Sequence, residues 1–265
     1  MKVSPLLDLI FDLHGVLADV HAVNKNYQKY LEKILVPVGI QRQKVIEIHE
    51  IAFRNWITEI FLLFEQFDEF EKTGSNSEVF MKNYRQIDNK WEEFILNFVG
   101  LEHQKSISSL LSTPRVEYEA LAHGPHPILF PEVSSALEKL FNFNPHLHMH
   151  IASSASSRHV KGAVTLHNLN NFFQRLIGYD TVRAPKKASS GIYFKRMLQF
   201  IGTEPNRAIF VGDSLEEATL AIKSGMRFVM VLRNKSSTFK KPRSLDFKVI
   251  DNLTDLIPII RALVD

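Results

Sequence analysis

The sequence predicts an α/β protein, a doubly wound parallel sheet with an all-helical domain inserted into it. Three observations predict this. Short apolar runs at residues 6–11 and repeatedly after Pro125 alternate with helical stretches, the rhythm of parallel strands joined by crossover helices. Between about Val20 and Leu121 that rhythm stops, and apolar residues recur at helix spacing. The length of 265 residues suffices for one large core and a smaller second domain.

The first strand, residues 6–11, is followed at once by Asp12 and a tight turn containing Gly15. The helical block then carries stripes such as Val45, Ile48, Ala52, Trp56 and Phe80, Tyr84, Ile87, Trp91, Phe94, which assign both tryptophans to its interior. The run Lys72-Thr73-Gly74-Ser75-Asn76-Ser77 reads as a loop between two long helices. Further strands are expected at Leu147–Ala152 and at residues 176–179, 208–211, 228–232 and 247–250. Because the first strand must pair with strands that resume only at Leu147, the helical block is an insertion. The core comprises residues 1–18 and 123–265 and the helical domain residues 19–122, with connections near Ala18-Asp19 and His123-Gly124-Pro125.

Composition narrows the function classes. A net charge of +3, spread along the chain, gives no reason to expect nucleic-acid binding. The one basic excess, Arg233, Lys235, Lys240, Lys241 and Arg243, reads as a solvated loop. Cysteine is absent, which removes disulfides, thiolate metal sites and cysteine nucleophiles. The opening MKVSPLLDLIFD has neither a leader pattern nor a membrane span, so a cytoplasmic location is expected.

The chemistry concentrates at predicted strand ends, where open α/β sheets place their ligands. Phe11-Asp12-Leu13-His14-Gly15-Val16-Leu17 closes the first strand. Ser153-Ser154 follows the second, where a hydroxyl can donate to a phosphoryl oxygen or cap the next helix. Lys187-Ala188-Ser189-Ser190-Gly191-Ile192-Tyr193 comes next, with Lys186 adjacent. Ile209-Phe210-Val211-Gly212-Asp213 then leads to Glu217. Two readings of Glu217 stand, a metal ligand or the second half of a capping box with Ser214.

These four segments, in this order, resemble the motifs of the haloacid dehalogenase superfamily of hydrolases, over the whole chain and with a helical cap of the first insertion class. The first motif is usually Asp-x-Asp-Gly-(Thr/Val)-Leu; Asp12, Gly15, Val16 and Leu17 match, and His14 replaces the second aspartate. The lysine motif lacks both its usual prolines, and Glu217 stands where aspartate is usual. The resemblance implies a Mg²⁺-dependent phosphatase for a small phosphorylated metabolite. Asp12 would form an aspartyl-phosphate, His14 would take the acid/base position, and Gly15, Ser153, Ser154 and Lys187 would hold the phosphoryl group. Asp12, Asp213, Glu217 and the backbone carbonyl of His14 would hold the metal. The departure at His14 keeps two other readings open, a dehalogenase-like hydrolase and a non-catalytic protein that binds an anionic ligand.

Two other signals lead elsewhere. Gly212-Asp213-Ser214-Leu215 spells an esterase label, but no histidine follows His167 to serve Ser214 as a base. His146, His148 and His150 share one strand face, where same-side neighbours are about 7 Å apart, too far for three to converge on one ion, so a partly solvated face is expected.

Overall fold

A computed structural model describes residues 7–72, 76–101, 103–144, 146–233, 241–242 and 244–264. Strand β1 (Leu7–Phe11) is followed by five helices, α1 (Val20–Leu35), α2 (Arg42–Lys72), α3 (Asn76–Val99), α4 (Lys105–Leu111) and α5 (Thr113–Ala122). The chain then continues through α6 (Val133–Phe143), β2 (Leu147–Ala152), α7 (Ser157–Leu166), β3 (Arg175–Ile177), α8 (Tyr179–Val182) and α9 (Ile192–Ile201). It ends with β4 (Ala208–Gly212), α10 (Leu215–Lys223), β5 (Arg227–Val231), β6 (Lys248–Ile250) and α11 (Leu256–Val264). Of the expected loop at residues 72–77, positions 73–75 lie outside the described residues.

The six strands form one sheet in the order β3-β2-β1-β4-β5-β6, and every pairing is parallel. The direction of winding reverses between β1 and β4, which opens a crevice beyond their carboxyl ends. Strand β1 is buried along its whole length, as a near-continuous apolar run covered on both faces must be. Its odd-numbered residues, Leu7, Leu9 and Phe11, pack with α6, α7 and α11. Ile10 points to the other face, with Phe194 and Met197 of α9 and Phe210 of β4. The sheet is therefore wound on both sides.

Helices α1 to α5 have an interior of their own, built from residues such as Leu31, Val45, Ile48, Trp91, Ile95 and Leu111. Trp91 is buried there, and Trp56 is half-buried at its edge, where its ring N–H donates to Asp88 Oδ1 at 3.0 Å. The insertion also grips the core directly. Gly162 of α7 lets α5 come close, since a Cβ there would lie 2.7 Å from the Tyr118 carbonyl oxygen. At the return connection, Asn26 of α1 donates to the His126 carbonyl and accepts its N–H, both at 2.9 Å.

The histidine face at β2 is partly solvated, as expected: His146 is exposed, His148 is half-buried 3.6 Å from Asp8 Oδ1, and His150 is buried with its Nε2 3.0 Å from the same oxygen. Asp8 also accepts from Thr203, so this end of the sheet is held by a local polar knot. One expectation needs correction, because Arg233 is not a solvated loop cation. It donates to the Gly15 and Val16 carbonyls, pairs with Glu132 and lies 3.7 Å over the Phe130 ring, which pins the turn after β1. Lys235, Lys240 and Arg243 lie outside the described residues. Among the described residues no helix is long and apolar enough to cross a membrane.

Candidate active site

Asp12 leaves the end of β1 beside β4, its backbone N–H bonded to the Val211 carbonyl at 2.8 Å. Its Oδ1 accepts the Leu13 N–H at 2.8 Å and lies 2.7 Å from Lys186 Nζ. Lys186 is completely buried, and its ammonium also lies 2.7 Å from Glu217 Oε1. Asp213 follows β4, and one oxygen each from Asp12, Asp213 and Glu217 all fall within 4.8 Å of one another.

Two glycines make room for this cluster. At Gly15, φ is +76°, and a Cβ would lie 1.9 Å from Asp213 Oδ2. At Gly212 a Cβ would lie 2.5 Å from Glu217 Oε2. Only the Ser214 half of the expected capping box forms. The Glu217 backbone N–H donates to Ser214 Oγ at 3.2 Å and starts α10, whereas its carboxylate turns inward to Lys186. Ser214 is thus occupied as a helix cap.

Burial pushes the Asp12 carboxyl up from its ordinary range despite the opposing charge of Lys186, and Asp213 pushes it further. Burial likewise raises Glu217 to about 7, against the pull of Lys186. Burial works to discharge Lys186, but the two carboxylates more than offset it and the ammonium is held. Three carboxylates against one ammonium leave two negative charges uncompensated when all are ionised. Glu217 Oε2 is also buried without a hydrogen-bond partner. An all-oxygen donor set with that charge and a free buried oxygen fits a small, hard divalent cation.

The motif lysine is corrected by one residue. Lys187 is partly exposed and pairs with Glu216 at 3.1 Å, outside the cluster, while Lys186 reaches Asp12. The turn over residues 185–188, closed by the Ala188 N–H on the Pro185 carbonyl, sends consecutive side chains apart. Ser153 is buried one strand over from Asp12, its N–H on the Ile177 carbonyl at 2.9 Å and its Oγ accepting the Ala155 N–H at 3.1 Å. The hydroxyl proton is left for an incoming acceptor. Tyr193, buried in α9, holds the Ser153 carbonyl through its hydroxyl at 2.9 Å. Ser154 is half-buried beside it.

His14 is half-buried, and its Nε2 lies 2.9 Å from Nε2 of His159 in α7. Burial, reinforced by the charge of Lys186, lowers its ring to about 4, so it is neutral near pH 7. Sequence reasoning missed several neighbours. His159 meets the hydroxyl of Tyr27, from α1, at 2.8 Å through its Nδ1. Ser156, which caps α7, donates to Glu117 of α5 at 2.8 Å. Burial first, and Asp88 second, push the Glu117 carboxyl up to about 8. No spacing links these residues to the four motifs; only helix packing does.

The strand order reverses between two acid-bearing strands, and a buried lysine joins Asp12 to Glu217 there, which is where open α/β sheets place their ligand crevice. The chain belongs to the haloacid dehalogenase-like hydrolase family, whose model matches residues 9–231. Phosphoglycolate phosphatase 1 of Pseudomonas aeruginosa is 31% identical over 90 residues, a segment covering 34% of this chain and 32% of that protein. The L-2-haloacid dehalogenase of Xanthobacter autotrophicus shares the fold with a TM-score of 0.60 at 14% identity, covering 98% of this chain and all (100%) of that one. The HAD-hydrolase YfnB of Bacillus subtilis, solved with magnesium, has a TM-score of 0.58 at 14% identity, covering 96% of this chain and 98% of its own.

Proposed function

We propose that this hydrolase is a Mg²⁺-dependent phosphatase for a small phosphorylated metabolite, with the helical insertion acting as the cap that selects it. The observation that carries the reading is the buried Asp12-Lys186-Glu217 chain with Asp213 beside it. A dehalogenation site, whose leaving halide needs neither a proton nor a cation, has no use for three converging carboxylates.

Oδ1 of Asp12 is held by Leu13 and Lys186, so Oδ2 is the oxygen left to attack phosphorus. As that bond forms, the bond to the ester oxygen breaks and the leaving oxygen keeps the electron pair; neutral His14 donates a hydrogen bond to that oxygen, and solvent water supplies its proton. Water then attacks the aspartyl-phosphate, restores Asp12 and releases inorganic phosphate, and the proton it loses balances the one the leaving oxygen took from solvent. Lys186 offsets charge at the nucleophile, and the Ser153 hydroxyl donates to a phosphoryl oxygen. Asp12, Asp213 and Glu217, with the His14 carbonyl, would hold Mg²⁺, which supplies charge neutralisation on the phosphoryl oxygens.

The test is phosphate release from a panel of small phosphate monoesters, with Mg²⁺ or with chelator, for the natural chain and Asp12→Asn. Release that needs Mg²⁺ and vanishes in Asp12→Asn is expected. Tight binding of a phosphorylated compound with no release would instead establish the non-catalytic reading.

A further inference from the structure

We propose that His159 and Tyr27 are positioning residues that fix the ring of His14 and make its service at the leaving group depend on docking of the helical insertion. The inference rests on the phosphatase reading above for its catalytic part, and on three side chains from three separate segments for its geometry.

His14 lies in the turn after β1, His159 in α7 of the core and Tyr27 in α1 of the insertion. They form one unbranched line, with Nε2 to Nε2 at 2.9 Å and Nδ1 to the phenol oxygen at 2.8 Å. The rings are packed as well as bonded. His14 meets His159 edge to face at 4.8 Å between centroids, and Tyr27 stacks on His159 at 5.9 Å. His159 is buried and anchored at its backbone, where its N–H donates to the Ser156 cap at 3.1 Å.

Two imidazoles that share one contact between their Nε2 atoms need a definite order of protons. The Tyr27 hydroxyl has no other bonded acceptor among the described residues, and leaving its proton unused in a partly buried place is unfavourable. The line therefore runs in one direction. Tyr27 donates to His159 Nδ1, the Nε2–H of His159 donates to His14 Nε2, and His14 carries its own proton on Nδ1. Nε2 of His14 is spent on this contact, so Nδ1–H is the group left to face a leaving oxygen. An isolated histidine would divide itself between two tautomers and several rotamers, and this arrangement selects one.

Tyr27 belongs to the insertion, so the line is complete only while the insertion is seated on the core, where α5 packs along α7. The same surface carries a second tie, from Ser156 at the cap of α7 to Glu117 of α5. If the insertion swings away to admit substrate, His159 Nδ1 loses its donor and His14 loses its orientation. A hydrogen-bond donor to the leaving oxygen that is ordered only in the docked state keeps the leaving-group step for the closed site.

The experiment compares the natural chain with Tyr27→Phe and His159→Gln on two probes, in the presence of magnesium. Glycerol 2-phosphate has an alkoxide leaving group that needs a proton, and 4-nitrophenyl phosphate has one that needs it far less. The expected result is a fall in kcat at least tenfold larger on glycerol 2-phosphate than on 4-nitrophenyl phosphate, with KM changed less than threefold on both. Equal losses on the two probes, or none, overturn the positioning role while leaving the phosphatase reading intact. Ring-nitrogen NMR of histidine-labelled protein gives a readout without turnover. Single tautomers, protonated at Nδ1 of His14 and Nε2 of His159, are expected in the natural chain, and averaged tautomers in Tyr27→Phe. Averaged tautomers in the natural chain overturn the proposed line. Failure of the natural chain to hydrolyse either probe, with those tautomers fixed, removes the phosphatase reading and the catalytic role together.

Discussion

At Lys186 a full positive charge sits in a dry place because two carboxylates meet it there, each at 2.7 Å. Removing one member of such a group leaves the others uncompensated, which typically costs about 3–5 kcal/mol. Lys186→Met is therefore expected to abolish turnover and to lower stability by roughly that amount, partly relieved as the carboxyls take up protons. The paired substitution Lys187→Met touches only an exposed ion pair with Glu216, worth about 0–1 kcal/mol, and should leave folding nearly unchanged. Urea unfolding of both variants checks this, and a larger loss at Lys187 would reverse the assignment of the motif lysine. The sequence pattern alone pointed to Lys187, because counting back from Tyr193 fits the usual spacing. Spacing counts residues and does not register the direction in which each side chain leaves a turn. Tyr27 and His159 were less legible still, since their meeting with His14 depends on how α1 and α7 pack.

Elements were easier to read than side-chain directions wherever burial is strong. Strands β1, β2 and β4 stand within a residue of their expected positions, because the apolar residues of central, buried strands are dense enough to mark their bounds. At the edge, β3 is only Arg175–Ile177, and Tyr179, expected to end it, begins α8 instead and stacks on Tyr84 of the insertion at 3.7 Å. The contact of α5 with α7 shows the same limit, because it buries Glu117, an acid that helix periodicity alone would not place inside. Its consequence is a pH dependence. Glu117 in the folded chain keeps its proton up to about pH 8, whereas unfolded it gives the proton up near its ordinary value of 4.5. The folded state binds more protons in that window, so stability falls as pH rises from about 4.5 towards 8. Glu117→Gln retains an acceptor for Ser156 without the charge. Thermal unfolding should show the variant level with the natural chain at pH 5 and more stable at pH 8, by roughly 1–3 kcal/mol. A natural chain whose stability does not fall across that range would show that Glu117 is already ionised in the folded state.

For the molecule as a whole, the reversal of strand order between β1 and β4 gathers like charges at the centre of the sheet. Asp12, Asp213 and Glu217 converge in the metal-free protein, with the buried charge of Lys186 opposing them. Burial and mutual repulsion push the Asp12 and Glu217 carboxyls up, so at neutral pH the empty cluster works against folding. A cation that binds only the folded chain reverses this, and at a concentration one hundred times its dissociation constant it adds about 2.7 kcal/mol. Asp213→Asn separates the two effects, because the amide keeps the shape of the loop beside Gly15 and removes one of the repelling charges. Without magnesium the variant is expected to melt only slightly higher than the natural chain, because Asp213 is exposed and solvent screens much of the repulsion. With magnesium in excess the order should invert, the natural chain gaining several degrees and the variant almost none. Scanning calorimetry with magnesium and with chelator reads both halves. An equal magnesium response in the two chains would place the cation away from Asp213, and a lower melting point for metal-free Asp213→Asn would mean that this carboxylate is held by attraction to Lys186 more than it is opposed by its neighbours.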